Sequence, residues 1–435
     1  MRFVPIEHGY PEPQPHWRRY RIRQRRRWYR YVRRRWRVLF ALLDAVGYVL
    51  FFPWWVRRRG AFGQCSRQGA KLLLVQLDRT GDAILSTGLV RALKQLFPAA
   101  RLDVLCVPWN AEVFQAQPEV DRVWVMPTSR FARGSRRGWL REIWRWGRLL
   151  RSQRYTLGID PRGEAPHALL LWLAGCRVRL GFGCGGGGFW LTHRARFQPE
   201  EHEILRRREL LAALGADVAG LELAPCWPVR HSRKASHGEQ RGHSLRVVCH
   251  LGAGTPAKQW PWEYWQQLVA WLLEEQGAEV HLVGGSEDRE RAWQLQRQLG
   301  HPARLHDHTG RLSWPEVAEL LAEAELCIGA DSAVVHLAAA VGCPVVALFS
   351  RTNQARLWRP WGRGVVLQGQ VPCGPCHRES CPVAEHPCMR WLTPAVVRGV
   401  VEEQLKGQQD TNISIVSPKI LLHSTPSKPY NAADT

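Results

Sequence analysis

The sequence predicts an α/β protein with two open parallel sheets, and three observations carry that reading. Glu325 to Ser350 (ELCIGADSAVVHLAAAVGCPVVALFS) reads as a buried strand over 326–329, a tight turn at Ala330-Asp331-Ser332, a small-residue helix and a second buried strand over 344–349. Short β-branched runs bracketing an Ala-rich helix form a βαβ unit of a parallel sheet. The same alternation opens at Lys71 and restarts at Leu245, so it is laid down twice. Finally, 435 residues with 45% apolar content suffice for two domains with real cores.

In chain order, residues 1–16 are Pro-rich and are expected to be disordered. Residues 17–37 interleave Arg with Trp and Tyr; Trp17, Tyr20, Trp28, Tyr31 and Val32 share a side at helical spacing, but Arg35 falls among them. The apolar run Val38 to Val56 follows, broken by Asp44, Gly47 and Pro53 and closed by Arg57, Arg58 and Arg59. Residues 1–60 hold 16 Arg against Glu7, Glu12 and Asp44, so this appendage carries +13 of the net charge of +23. Such a run is just long enough to span a bilayer, yet Arg clusters at both ends resist translocation. The favoured reading is that residues 17–59 lie on an anionic membrane surface at the cytoplasmic face. A single transmembrane span and a nucleic-acid-binding or structural arm are the alternatives, and the long apolar run disfavours nucleic acid.

Residues 60–70 read as a linker. Strands are expected at 71–77, 101–107, 123–126, 156–160 and 177–181, with helices at 83–97, 139–153, 165–174 and 203–214. Gly183 to Gly188 is a flexible glycine loop with no lysine placed for a Walker motif. The second half gives strands at 245–250 and 278–283, helices at 262–276, 287–299 and 314–323, the opening βαβ unit, and a helix at 394–405. The expected division is extension and linker 1–70, first domain 71–243, second domain 244–406 and a disordered tail 407–435. The start of the chain has no apolar stretch of signal-peptide type. The 12 scattered cysteines then read as reduced thiols of the cytoplasm.

Parallel sheets bind ligands outside the carboxyl ends of their strands, where helix N-termini offer free N–H groups. Three loops fall there. In Asp78 to Asp82, Asp82 follows Gly81 at a helix start and reads either as a helix cap or as a general base projected into a cleft. In Gly252 to Pro261, Gly252 and Gly254 let backbone N–H groups approach a phosphate, Thr255 adds a hydroxyl and Lys258 a mobile charge. An ordinary loop with a solvated lysine is the plain alternative. At the Asp331–Ser332 turn, both residues either cap the helix or hold a phosphate-bearing ligand, with His336 one turn further on. Glu287, after the strand ending at Val283, is placed to hold a ribose diol or simply begins a solvated helix.

A phosphate site in one half facing a lone carboxylate in the other points to group transfer from a nucleotide-activated donor. KLLLVQLDRTGDAILSTGLVR (71–91), HLGAGTPAKQWPWEYW (250–265) and GADSAVVHLAAAVGCPVVALF (329–349) resemble, in order, three blocks of the heptosyltransferase family, glycosyltransferase family 9. The resemblance covers roughly 71–405. It implies a GT-B fold, two Rossmann-like doubly wound domains facing a central cleft, with the acceptor on the first and the donor nucleotide on the second. It also implies inverting, metal-independent transfer without a cofactor. By the same resemblance Asp82 is the catalytic base, Lys258 binds the donor diphosphate near Thr255, and Glu287 contacts the nucleoside. Asp331, Ser332 and His336 complete the donor site. The chain departs from the family at Gln76, where a basic residue is common, and at Ala333, where glycine is common.

Cys373, Cys376, Cys381 and Cys388 lie within sixteen residues, spacing that reads as packed or redox-sensitive thiols or as a compact structural metal site. The resulting expectation is a membrane-associated glycosyltransferase moving heptose from ADP-heptose onto an anionic glycolipid of the lipopolysaccharide core. The alternatives are a transferase of the same fold with another nucleotide-sugar donor for surface polysaccharide, and a non-catalytic nucleotide-binding protein tethered by its arm.

Overall fold

The computed structural model describes residues 1–6, 17, 18, 21, 34–57, 69–127, 138–230 and 245–409, without the side chains of 34–37, 52–57 and 407–409. Expectations for 7–16, most of 17–33, the linker 60–68, the loop 231–243 and the tail 410–435 lie outside the described residues.

Strand β1 (Arg2–Ile6) and helix α1 (Arg34–Arg57) precede two parallel sheets. The first sheet is built from β2 (Lys71–Gln76), α2 (Thr80–Leu85), α3 (Thr87–Leu96), β3 (Arg101–Cys106), α4 (Ala111–Gln115), β4 (Arg122–Val125) and α5 (Trp139–Leu150). It continues with β5 (Leu157–Asp160), α6 (Ala165–Leu173), β6 (Val178–Gly181), β7 (His193–Arg194) and α7 (Glu203–Ala212). Its six strands run in the order β4-β3-β2-β5-β6-β7, all parallel. The order reverses at β2, so ligands are expected above the carboxyl end of that strand.

The second half holds β8 (Arg246–His250), α8 (Trp262–Glu274), β9 (Glu279–Val283), α9 (Arg289–Gln298), β10 (Leu305–Asp307), α10 (Trp314–Glu323) and β11 (Leu326–Ala330). Then come α11 (Ala333–Ala340), β12 (Val345–Phe349), α12 (Ala355–Trp358), β13 (Gly364–Gly369), α13 (Pro387–Arg390) and α14 (Pro394–Gln409). This sheet has seven parallel strands in the order β1-β13-β12-β11-β8-β9-β10.

Its outermost strand comes from the other end of the chain. Arg2 pairs with Val365 and Ile6 with Gly369, so part of the stretch expected to be disordered is an edge strand. Pro5 fits such a position, because an edge strand has one side free of ladder hydrogen bonds. Trp17 is 3% exposed within the core of the second half that also buries Trp260, Trp265, Met389 and Trp391.

Helix α1 instead rests on the first half. Its backbone stays helical through Gly47 and Pro53. Asp44, 5% exposed in an otherwise apolar segment, accepts a hydrogen bond from Gly187 N–H at 2.7 Å. Tyr48 Oη accepts one from Arg194 Nη1 at 2.6 Å, and Phe51 packs on Trp172 and Phe189. The glycine run 183–188, read as a flexible loop, is the seat of this helix. A Cβ at Gly188 would stand 2.5 Å from Tyr48 Oη. The opposite face of α1 leaves Val38, Leu42, Leu43, Val46, Val49 and Leu50 between 50% and 75% exposed. Among the described residues, no helix is long and apolar enough to cross a membrane.

The two halves share one core cluster, running from Leu72, Leu89 and Leu211 to Val335, Ala347 and Phe349. The contact is α2 against α11, with Trp314 N–H at the start of α10 donating to Glu112 Oε2 on α4 at 2.8 Å.

Candidate active site between the two sheets

The loop after β2 enters the cleft with Asp78 buried and Asp82 half-buried in the first turn of α2. Gly81 allows the approach of the second half: a Cβ there would lie 3.2 Å from His336 Cδ2 and 3.9 Å from Ala333 Cα. The single helix expected over 83–97 is two helices meeting at Ser86. Its hydroxyl donates to Gln76 Oε1 at 2.7 Å and Asp82 O at 3.0 Å, which ties the loop back to β2.

The loop after β5 supplies the main counter-charge. Asp160, buried at the end of that strand, accepts from Arg162 N–H at 3.0 Å and Glu164 N–H at 2.9 Å, and its Oδ1 is 3.0 Å from His167 Nδ1. This turn aims the Arg162 side chain at three carboxylates. Asp82 Oδ1 lies 3.1 Å from Nη1, while Asp78 Oδ1 and Glu164 Oε1 are each 3.9 Å from Nε. Burial drives the Asp78 carboxyl up to about 6 against the pull of Arg162, and the Asp82 charge adds to the rise. The surrounding carboxylates hold Arg162 protonated despite its burial.

Arg207 of α7 adds a second buried guanidinium. Its Nη2 donates to Ser86 Oγ at 3.0 Å and to Asp82 O at 3.3 Å. Gln76 is the last residue of β2. It hydrogen-bonds Asp78 Oδ2 at 3.0 Å, and Arg207 brings the cation to the same network from a distant helix.

On the opposite wall, Lys258 Nζ is 2.6 Å from Asp331 Oδ2, just before Ser332, the N-cap of α11. Ser332 Oγ is 3.0 Å from His250 Nδ1, and His250 Nε2 is 3.7 Å from Asp288 Oδ2. Asp288 also accepts from Gly285 N–H at 3.1 Å and fills the space that a Cβ on Gly252 would need. The carboxylate turned inward after β9 is therefore Asp288, whereas Glu287 is exposed on the turn before it. Gly254 is exposed at the loop tip near Arg79, and Thr255 Oγ1 is buried with no hydrogen-bond partner.

His336 is where the two walls meet. It is buried, its Nδ1 lacks a hydrogen-bond partner, and Asp331, Asp82, Lys258 and Arg207 all act on it electrostatically. Burial outweighs the two carboxylates and lowers it to about 4, so the imidazole is neutral near pH 7.

Residues 143–386 match glycosyltransferase family 9 (heptosyltransferase), more than half of the 435-residue chain. The chain belongs to glycosyltransferase family 9. It is similar to lipopolysaccharide heptosyltransferase 1 of Pseudomonas aeruginosa, 28% identical over 327 residues, covering 72% of this chain and 87% of that protein. Lipopolysaccharide heptosyltransferase 3 of Escherichia coli is 25% identical over 302 residues, covering 66% of this chain and 85% of that protein. Among solved structures, E. coli ADP-heptose lps heptosyltransferase II aligns with a TM-score of 0.60 at 20% identity, over 78% of this chain and 99% of that one. E. coli heptosyltransferase WaaC, with ADP or with ADP-2-deoxy-2-fluoro heptose, gives 0.58 at 20% identity, over 77% and 99%. The protein is thus a glycosyltransferase with the GT-B fold.

In this family-9 transferase the fold brings together Asp82, Lys258, Asp331, Ser332 and His336, with Gly252 and Thr255 on the adjoining loop. Glu287 is exposed on the turn after β9. Reading the sequence for sites missed Asp78, Arg162, Arg207, His250 and Asp288. The Asp160-Pro161-Arg162-Gly163-Glu164 string after a predicted strand was the one available signal.

The cysteine-rich segment clasps the Lys258 loop. Ala257 N–H donates to Glu379 O at 2.9 Å, and His386 Nε2 donates to Ala257 O at 3.1 Å. Cys373, Cys376 and Cys388 are buried, Cys381 is half-buried, and all four thiols are free. Burial and the neighbouring thiols push Cys373 up to about 11. Among the described residues these four are not drawn together as a metal-binding group; the group that is lies on β9 and β10.

Proposed function

We propose that this transferase moves a heptose from ADP-heptose onto a hydroxyl of a lipopolysaccharide-core-type glycolipid, with inversion at the anomeric carbon. The observation that carries the reading is the convergence of Asp82 from one sheet and the Lys258–Asp331 pair from the other on His336. Asp82 takes the proton of the acceptor hydroxyl as its oxygen attacks the anomeric carbon. The nucleoside diphosphate leaves from the opposite face of the sugar. Lys258 and the free N–H groups at the start of α11 stabilise the charge developing on it, the work a metal ion does in other transferases. Arg162, through the Asp82 carboxylate, and Arg207, through the Asp82 carbonyl, keep Asp82 in place. Glu287, exposed on the turn after β9, contacts the nucleoside, with Asp288 behind it beside Gly252 and Gly285.

An ADP-linked donor is supported by the solved relatives carrying ADP and an ADP-heptose analogue, and the acceptor class by the lipopolysaccharide enzymes among the relatives. The exposed apolar face of α1, within an Arg-rich extension, fits the surface of an anionic membrane at the cytoplasmic face, where such an acceptor is embedded.

Calorimetry with ADP-heptose, UDP-sugars and GDP-sugars tests the donor assignment. Selective ADP-heptose binding is expected, weakened roughly 10–100-fold by Lys258→Ala through loss of a charged hydrogen bond and retained by Asp82→Ala. Preference for a UDP- or GDP-sugar would overturn the donor and redirect the function to another surface polysaccharide.

A further inference from the structure

Away from the cleft, the second sheet gathers three imidazoles and a carboxylate at its free edge. Glu279 and His281 alternate along β9 and so point to the same face, and His306 on edge strand β10 is the register partner of His281. His308 follows just past the end of β10. The rings of His281, His306 and His308 stack with centroids 4.8 to 6.5 Å apart.

The donor atoms are sorted as a cation would require. Glu279 Oε1 lies 3.0 Å from His306 Nε2 and 3.6 Å from His281 Nε2, and all three atoms fall within 4.8 Å of one another. Ligands about 2.0–2.1 Å from a tetrahedral zinc ion stand roughly 3.3 Å apart, close to both separations. Arg246 Nε approaches the other oxygen, Oε2, at 4.0 Å. His281 is buried, and its Nε2 has no hydrogen-bond partner. Its Nδ1 is 3.0 Å from His308 Nε2; with Nδ1 as the donor in this contact, Nε2 carries the lone pair, the arrangement in which an outer partner orients a metal-bound histidine. The His306 side chain is 38% exposed, which gives an ion a path in and a place for water as fourth ligand.

We propose that Glu279 Oε1, His281 Nε2 and His306 Nε2 form a binding site for a divalent transition ion of the zinc type, with His308 as the positioning partner of His281. The ion ties edge strand β10 to β9 and lies outside the residues that face Asp82.

The test is to strip the full-length protein with a chelator and titrate it with Co2+ and Zn2+ against a chromophoric competitor. One Co2+ equivalent with visible d–d bands and no thiolate charge-transfer band is expected. His306→Ala, Glu279→Gln and His308→Ala should each weaken it roughly 10–100-fold, while Cys376→Ser leaves it unchanged. Unchanged circular dichroism of the partly exposed His306→Ala variant shows that the loss is not unfolding. Zn2+ should also raise the melting temperature of the wild type but not of His306→Ala. Retention of no metal, or metal bound only with thiolate signatures and indifferent to His306→Ala, would overturn the proposal.

Discussion

On the first-sheet wall of the cleft, Asp78, Asp82 and Glu164 crowd around Arg162, and Arg207 seals the network from behind. On the second-sheet wall, Lys258 faces Asp331, and the histidine between them carries no charge. The first arrangement buries several charges that need one another, so its members hold a carboxylate in one place. The second keeps its lysine half-exposed at a loop, free to exchange one anionic partner for another. A rigid base opposite a mobile cation is what transfer from a charged leaving group requires.

Three substitutions probe the contrast, from the largest expected effect to the smallest. Asp82→Asn should lower turnover by roughly 10²–10⁴, the range for a lost general base, with donor affinity kept; initial rates and calorimetry on one sample check both. An equal loss of donor affinity would place Asp82 in binding instead. Arg162→Met strands buried carboxylates and should cost about 3–5 kcal/mol of stability, read by denaturant unfolding. Adding Asp78→Asn should restore part of it, because one stranded charge is then removed.

Asp78 itself gives the smallest effect, one of pH. Its carboxyl is raised from 3.8 to about 6 in the folded protein, so the native state binds its proton more tightly than the unfolded chain does. That contribution to stability is complete below about pH 4 and is lost as pH rises through about 6. Asp78→Asn should therefore gain stability relative to the wild type across this interval and hold the gain at higher pH. Melting temperatures of both proteins from pH 4 to 8 show it. A difference independent of pH would mean that Asp78 is ionised throughout.

Where local pattern and tertiary context agree, the fold was legible in the sequence. The helix over 314–323 opens on Ser313 and Glu316, which form a capping box, and it lies where the periodicity placed it. Strands β11 and β12 are apolar throughout because both faces of a central parallel strand are covered. Short edge elements escaped notice: β10 has three residues, and β1 contains a proline in a Pro-rich neighbourhood. Their stability comes from the strand alongside, and nothing local announces it. The Gly-Asp motif and the lysine loop were readable because each is a run of adjacent residues. Arg162 and Arg207 were not, since their partner Asp82 stands 80 and 125 positions away. Asp44 looked like an interruption of an apolar run, yet it is the hydrogen-bonding group that fastens α1 to the glycine turn.

The pairing of β1 with β13 also bears on how the molecule is made. Strand β1 leaves the ribosome some 360 residues ahead of its partner, about 20–70 s earlier at ordinary elongation rates. Until then β1 is without the strand it pairs with. The seven-stranded sheet is bordered by a strand made well before the rest of it. A fragment beginning at residue 244 would lack that strand altogether and present β13 as a bare edge, open to pairing with a second copy.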